Sequence, residues 1–113
     1  GQEMGALIMG LGYTMLEGLI FDKDGLTLNP NLIEYKTATA LDGFTEEGRP
    51  KLASILVEEP DPMGPFGAHG IGEGSVNSCG AVLSNAIRNA TGLRLTKCPI
   101  FPEAILRALG KIP

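Results

Sequence analysis

The sequence predicts an α+β fold, a small mixed two-layer domain of 113 residues. The predicted order is a glycine-rich N-terminal helix, a β-hairpin, two further strands, a glycine-rich loop and two C-terminal helices. Three observations support it: apolar residues at helical spacing near both ends, an Asp24-Gly25 turn between apolar runs, and β-type runs in the middle. A chain of this length can bury a single core.

The first helix is predicted over residues 1–18, where apolar residues follow the i, i+3, i+4, i+7 spacing of one helix face. We expect this face to pack in the core; it carries Met4, Leu7, Ile8, Leu11 and Met15. Three glycines each lower helix propensity by roughly 1 kcal/mol, so we expect the helix to lie close against another backbone. They are Gly5, Gly10 and Gly12. Gln2, at the start, is either a surface residue or a group pointing at a ligand.

A β-hairpin is predicted over residues 19–28, because Asp24-Gly25 stands between two apolar runs. Asp22 and Asp24 could instead indicate a calcium loop. Counted from Asp22, however, the twelfth position of an EF-hand loop needs a bidentate Glu, and Ile33 stands there. A plain turn is therefore the prediction.

Two further strands are predicted over residues 32–41 and 51–58. Tyr35 and Thr37 favour β-structure in the first, and alternating apolar residues favour it in the second. Residues 42–50 are predicted to form a polar loop between them.

Residues 64–74 form a glycine-rich loop that holds five of the chain's sixteen glycines. Glycine lets a backbone approach a ligand closely, and successive N–H groups can converge on an anionic or polar ligand, with Glu73 at the edge. The loop lacks the Gly-Lys-Ser/Thr ending of a P-loop and the G-x-G-x-x-G order, so a nucleotide site is not predicted. The alternative is a tight strand-to-helix connection with Glu73 as a first-turn carboxylate.

Two helices are predicted after the loop. Residues 75–91 carry one apolar face, with Ser75 or Asn77 as N-cap and Gly92 as the C-terminal stop. The loop would therefore hold its ligand near a helix N-terminus, which favours negative charge. Residues 102–109 are predicted to form the last helix, with a proline at its tolerated first position.

Composition excludes several classes of function. The net charge of −4 and pI of about 4.9 disfavour nucleic-acid binding. The sequence has no run of 18 apolar residues, so no membrane span is predicted, and it shows no basic leader. Cys79 and Cys98 are too few for a disulfide framework or a cysteine metal site, so we expect both to be reduced and buried in a cytoplasmic protein.

Five blocks occur in an order and spacing known from one enzyme family. They are GQ-x-x-GA-x-x-x-GLG-x-x-x-x-E at residues 1–17, Tyr35-Lys36 followed by Asp42, Gly64 to Glu73, Asn85-Ala86-Ile87, and Pro99-x-x-Pro102-Glu103. The sequence thereby resembles the C-terminal part of the molybdenum-binding subunit of the xanthine dehydrogenase and aldehyde oxidase family, the molybdenum hydroxylases.

The resemblance implies that residues 1–113 are a single C-terminal molybdopterin-binding segment of a larger subunit that hydroxylates an N-heterocycle or an aldehyde. Glu73 matches the family glutamate that acts as general base beside the molybdenum. The resemblance also implies cofactor-lining residues, which are Gln2, His69, Gly70, Ile71 and Gly72.

The implied cofactor is a molybdenum–pterin, either molybdopterin or its cytosine dinucleotide form, and its dithiolene holds the metal, so the chain supplies no metal ligand. Iron–sulfur and flavin groups would belong to other subunits or domains. The implied partners are the rest of the molybdenum subunit and the electron-transfer subunits, and exposed apolar surface would also permit self-association. His69 departs from the Lys or Ala of many relatives, and Gly74 from the Pro of several.

Two other functions stay open at this point. The chain could be a non-catalytic structural or assembly module that packs on a larger subunit through its first helix, in which case a bulky residue at Gly10 would break the association. It could also be a small-anion binding domain that uses the loop at a helix N-terminus.

Overall fold

The computed structural model describes residues 1–43 and 52–113. Its helices are α1 (Gln2–Met15), α2 (Ala40–Gly43), α3 (Cys79–Thr91) and α4 (Pro102–Ala108), and two 3₁₀ turns cover Pro65–Gly67 and Gly74–Val76. Turns and extended segments make up the rest of the described chain. None of the helices in these two ranges has the length and apolar character needed to cross a membrane.

Helix α1 packs through its small residues. Ala6, Gly10 and Thr14, spaced four apart, are buried on one face, and Gly12 is buried on the other side of the helix. The large apolar residues predicted to fill the core are only half-buried. Three of them, Leu7, Ile8 and Leu11, instead line an open cavity of about 310 Å³ between α1 and α3. Val82 and Leu83 of α3 line the same cavity. The prediction that this stripe forms the core is corrected accordingly.

The core of the described chain is small and lies where α1 meets α3 and the segment before α4. Its buried apolar residues are Ala6, Cys79 and Ile100. The Ile100 N–H donates to the Thr14 carbonyl at 2.6 Å, which satisfies one of the carbonyls that the end of α1 leaves unpaired. The segment between α3 and α4 is thereby fixed to the C-terminal end of α1.

Two of the three α1 glycines have a packing reason. A Cβ on Gly10 would lie 2.6 Å from the Cys79 Cβ of α3, and a Cβ on Gly12 would lie 3.1 Å from the Glu17 Cδ. A Cβ on Gly5 would meet nothing within 4 Å. The predicted close approach to another backbone is therefore wrong for all three: Gly10 makes room for the Cys79 side chain of α3, Gly12 for the side chain of Glu17, and Gly5 for nothing within 4 Å.

The predicted α+β class is wrong, because the described residues contain no sheet. In residues 19–28 the turn at Gly25 forms, but a single bridge between Phe21 and Thr27 is all the strand pairing that follows. The buried Asn29 explains this. Its side chain accepts from the Ile20 N–H at 2.8 Å and donates to the Gly18 carbonyl at 2.7 Å, so these backbone groups bond to a side chain instead of a strand.

The strand predicted over residues 32–41 is also absent. Asn31 opens a turn there: its side chain accepts from the Ile33 N–H at 2.9 Å, and its carbonyl accepts from the Tyr35 N–H at 2.8 Å. Such a local turn competes directly with strand formation. Helix α2 then occupies Ala40–Gly43, which overlaps the predicted strand and the predicted polar loop.

The last predicted strand, residues 51–58, is absent from its described part. Within the described residues, no backbone hydrogen bond involves residues 52–60, so no ladder forms there. Lys51 and the predicted loop residues 44–50 lie outside the described part of the chain.

The helices after the loop lie close to their predicted positions. Helix α3 begins at Cys79, four residues later than predicted, because the 3₁₀ turn Gly74–Val76 precedes it; neither Ser75 nor Asn77 caps it. It ends as predicted at Gly92, whose φ of 78° needs a residue without a Cβ. Cys79 is buried as expected, whereas Cys98 is exposed, and both are free.

Candidate functional site

The first half of the glycine-rich loop folds on itself. The Asp61 N–H donates to the Gly67 carbonyl at 3.0 Å, and the Gly64 N–H donates to the Asp61 carbonyl at 3.3 Å. Gly67 has a φ of +75°, and a Cβ on Gly64 would lie 2.6 Å from the Ala68 carbonyl oxygen. The glycines of this half are required by the chain's own geometry.

The second half of the loop has glycines that the chain itself does not require. At Gly70, Gly72 and Gly74 an added Cβ would meet nothing within 4 Å, and none of the three has a positive φ. Glycine increases the conformational entropy that folding must overcome, and the described contacts give no packing reason for these three glycines. Open space on the side of a missing Cβ leaves room for a group from outside the chain to approach the backbone.

Glu73 lies between two of these open glycines and directly precedes the 3₁₀ turn Gly74–Val76. Its carbonyl accepts from the Val76 N–H at 3.1 Å. Its side chain is exposed, and no hydrogen bond or ion pair joins its carboxylate to another residue of the described ranges. The carboxylate is therefore free to act on a group outside this chain.

A groove of about 580 Å³ runs between the loop and the extended segment before it. Three of the predicted cofactor-lining residues, His69, Gly70 and Ile71, line it together with residues 56–60. The described lining contains the carboxylates of Glu58 and Glu59 and no Lys or Arg. Carboxylates repel anions, so this lining does not favour the small-anion function.

No hydrogen bond among the described residues joins Gln2 to Glu73. Gln2 begins α1, and the contact of α1 with the turn after Glu73 is made by Tyr13, near its other end. Eleven residues at 1.5 Å each separate Gln2 from that contact by about 16 Å along the helix. Gln2 is exposed, and the described contacts do not bring it to the loop.

Sequence reasoning missed Tyr13. Its hydroxyl donates to the Val76 carbonyl at 2.9 Å and lies 3.3 Å from the Gly80 N–H, from which it accepts. Ser78, the N-cap residue of α3, makes no side-chain cap bond, so the Tyr13 hydroxyl takes over that function from another helix. The sequence shows only that Tyr13 follows Gly10 by three residues and therefore lies on the same helix face; it does not show the partner of its hydroxyl.

Glu17 and Tyr35 form a second polar contact, away from the loop. The Tyr35 hydroxyl donates to a Glu17 carboxylate oxygen at 3.0 Å. The pKa of Tyr35 is raised above its ordinary value, first by this hydrogen bond, then by partial burial and by the negative charge of Glu17. The glutamate that ends the first sequence block and the tyrosine that begins the second therefore hold each other in place.

Comparisons with known proteins agree with one another. Residues 1–43 match the model of a molybdopterin cofactor-binding domain. The chain is 34% identical to the xanthine dehydrogenase molybdenum-binding subunit of Escherichia coli O157:H7 over 93% of its own length, and 35% identical to the aldehyde oxidoreductase of Megalodesulfovibrio gigas over 96%. Its fold matches quinoline 2-oxidoreductase from Pseudomonas putida 86 with a TM-score of 0.82, at 29% identity and over 100% of the chain.

The same comparisons show how much of each relative the chain covers. It spans 13% of the Escherichia coli subunit, 11% of the Megalodesulfovibrio protein and 14% of the quinoline 2-oxidoreductase chain.

Proposed function

Since the chain belongs to the molybdenum hydroxylase family, we propose that it supplies a general base and a pterin-lining loop to an enzyme that hydroxylates an N-heterocycle or an aldehyde. The base is Glu73. The lining residues are Gln2, His69, Gly70, Ile71 and Gly72.

One observation carries the proposal: the open side of Gly70, Gly72 and Gly74. A flat, extended pterin needs a backbone that it can approach without meeting Cβ atoms, and these positions provide one. This open backbone supports a pterin cofactor, which we propose to be either molybdopterin or its cytosine dinucleotide form. The described lining of the groove carries carboxylates and no Lys or Arg. We therefore propose that the cationic side chains that bind the cofactor's phosphate belong to the rest of the enzyme.

When bound, the molybdenum cofactor supplies the two-electron redox chemistry of the hydroxylation. The part of this chain is to handle the proton: a carboxylate oxygen of Glu73 accepts the proton released in the reaction. Glycines on both sides of Glu73 leave room for the substrate beside the carboxylate. Base catalysis of this kind contributes about 10²- to 10⁴-fold to a rate.

Glu73 is exposed in this chain, so the burial expected around a catalytic carboxylate must come from other groups. We propose that the cofactor, the rest of the molybdenum subunit and electron-transfer subunits cover it, the last of these carrying iron–sulfur and flavin groups. The free Cys79 and Cys98 support a reducing compartment, which we propose to be the cytoplasm. The alternative, a non-catalytic assembly module, would use the same surfaces without proton transfer.

The test is the Glu73→Gln substitution in the complete enzyme that carries this chain. We expect turnover to fall by about 10²- to 10⁴-fold, because the amide cannot accept the proton. Molybdenum content, measured on the same sample, should stay unchanged, because the amide has nearly the shape of the carboxylate. Turnover is measured with hypoxanthine, quinoline and acetaldehyde as reducing substrates and a dye as electron acceptor.

Glu59→Gln is the matched control, since Glu59 lines the groove but is not proposed as the base. Its turnover should stay within about twofold of the parent. Full turnover in Glu73→Gln would refute the catalytic role and leave the assembly module as the better account.

A further inference from the structure

Tyr13 connects α1 to the part of the chain that carries Glu73. Its hydroxyl donates to the Val76 carbonyl at 2.9 Å, and the N–H of the same Val76 donates to the Glu73 carbonyl at 3.1 Å. Two consecutive hydrogen bonds therefore run from a helix side chain to the backbone of the proposed base.

The Tyr13 hydroxyl also accepts from the Gly80 N–H at 3.3 Å. One oxygen thus joins the 3₁₀ turn Gly74–Val76 to the first turn of α3, and it fixes both on α1. Helix α1 can reach this point because Gly10 lets it approach Cys79 closely.

The residues around Glu73 offer few other restraints. Its neighbours Gly72 and Gly74 have no atom within 4 Å of an added Cβ, and its own side chain is exposed. Glycine on each side makes the backbone here easy to deform. A base must nevertheless be held within a fraction of an ångström of the proton it accepts. The turn that Tyr13 holds is the support that the described structure provides.

We propose that Tyr13 is a positioning residue that fixes the backbone of Glu73 through Val76. This inference rests on the proposed function, because it assumes that Glu73 is the base. Tyr13 does not touch the substrate or the cofactor; it limits how far the turn carrying Glu73 can move.

The test is Tyr13→Phe in the complete enzyme, which removes the hydroxyl and keeps the ring. We expect turnover per bound molybdenum to fall by about three- to tenfold, the equivalent of one hydrogen bond, with KM within about twofold of the parent. Amide exchange in the peptide covering residues 73–80 should become faster. Turnover is measured with hypoxanthine, quinoline and acetaldehyde, and exchange needs no substrate.

Tyr35→Phe is the matched control, because Tyr35 is the chain's other tyrosine and its hydroxyl bonds to Glu17. It should leave turnover per molybdenum and exchange over residues 73–80 unchanged. A role in folding alone would lower molybdenum content or thermal stability in Tyr13→Phe while each bound molybdenum still turned over at the parental rate, and that result overturns the inference.

Unchanged exchange over residues 73–80 in Tyr13→Phe overturns it equally. Glu73→Gln is measured beside these variants to keep the two ideas apart. If Glu73→Gln is inactive and Tyr13→Phe is fully active, the base assignment stands and only the role of Tyr13 fails. If Glu73→Gln stays active, the proposed function fails and this inference fails with it.

Discussion

At the scale of single residues, the glycines of the loop separate into two kinds. Gly67 has a φ of +75° and lies close to Pro60, so the fold itself requires a glycine there. Gly72 has neither a positive φ nor a neighbour within 4 Å of an added Cβ. The first kind serves folding, and the second serves whatever approaches the loop from outside. The two kinds can be told apart by experiment.

Gly72→Ala in the complete enzyme should leave the midpoint of thermal inactivation unchanged or slightly higher, because alanine reduces the entropy of the unfolded chain. Molybdenum content should fall several-fold, because the new methyl group occupies space that the pterin needs. Gly67→Ala is the control: it forces an alanine into the left-handed region, at about 1–2 kcal/mol, and should lower the midpoint. Full molybdenum content in Gly72→Ala would contradict a close approach of the cofactor at this position.

The candidate site could be predicted only in part from the sequence. Glu73 and the loop were predicted as site residues because a carboxylate in a glycine-rich setting leaves a local pattern, and the family resemblance gave Glu73 its proposed role; both stay predictions. Tyr13 was not, because its role depends on a contact with Val76, 63 residues away. Gln2 also lies on the other end of α1 from that contact, which sequence spacing alone does not reveal.

At the scale of elements, helices α1, α3 and α4 were predictable, whereas α2 and the strands were not. The C-terminal end of α3 follows from Gly92, and the start of α4 follows from Pro102, because both residues act on the backbone locally. The strands failed because Asn29 and Asn31 bond to backbone groups that a ladder would need. Strand formation also requires a neighbour, and a two-stranded pair alone is marginally stable. The intrinsic β-propensity of a segment depends on neither the competing asparagine bonds nor the presence of a neighbouring strand.

The contact between α1 and α3 gives a prediction at this scale. Gly10→Ala should destabilise the protein by about 1–3 kcal/mol, because the new Cβ would lie 2.6 Å from the Cys79 Cβ and the two helices must separate. Gly5→Ala is the matched control: the same change in the same helix meets open space and should be neutral or stabilising by up to about 1 kcal/mol. The midpoint of thermal inactivation of the complete enzyme measures both.

Equal midpoints for Gly10→Ala and Gly5→Ala would show that α1 and α3 do not pack as described. The result also bears on the assembly module. Gly10 contacts α3 of its own chain, so a bulky residue there should disturb the chain's folding before it disturbs any association.

At the scale of the whole molecule, the chain exposes more surface than a free-standing domain. Its accessible surface is 8765 Å², against about 5,900 Å² for a compact protein of 11.9 kDa. Its radius of gyration is 17.5 Å, against about 13 Å for a compact domain of this length. Large apolar residues contribute to this surface, among them Ile55 at 88%, Val57 at 87% and Met63 at 91% exposed. Such a surface needs a cover, and the proposed one is the rest of the molybdenum subunit.

Residues 52–58 are part of the surface that needs a cover. Their backbone N–H and C=O groups have no hydrogen-bond partner in the described chain, and the large side chains of Leu56 and Val57 are both exposed. Backbone groups that become buried need hydrogen-bond partners. We therefore expect the larger polypeptide to cover this segment and to bond to its backbone.

Amide exchange in the complete enzyme tests this cover. Residues 52–58 should exchange at least about tenfold more slowly than an unstructured chain of the same sequence, because a covered and hydrogen-bonded N–H exchanges only when the contact opens. Exchange at the rate of the unstructured chain would contradict a cover at this segment. Slow exchange would mean that the hydrogen-bond partners of these backbone groups belong to the rest of the enzyme.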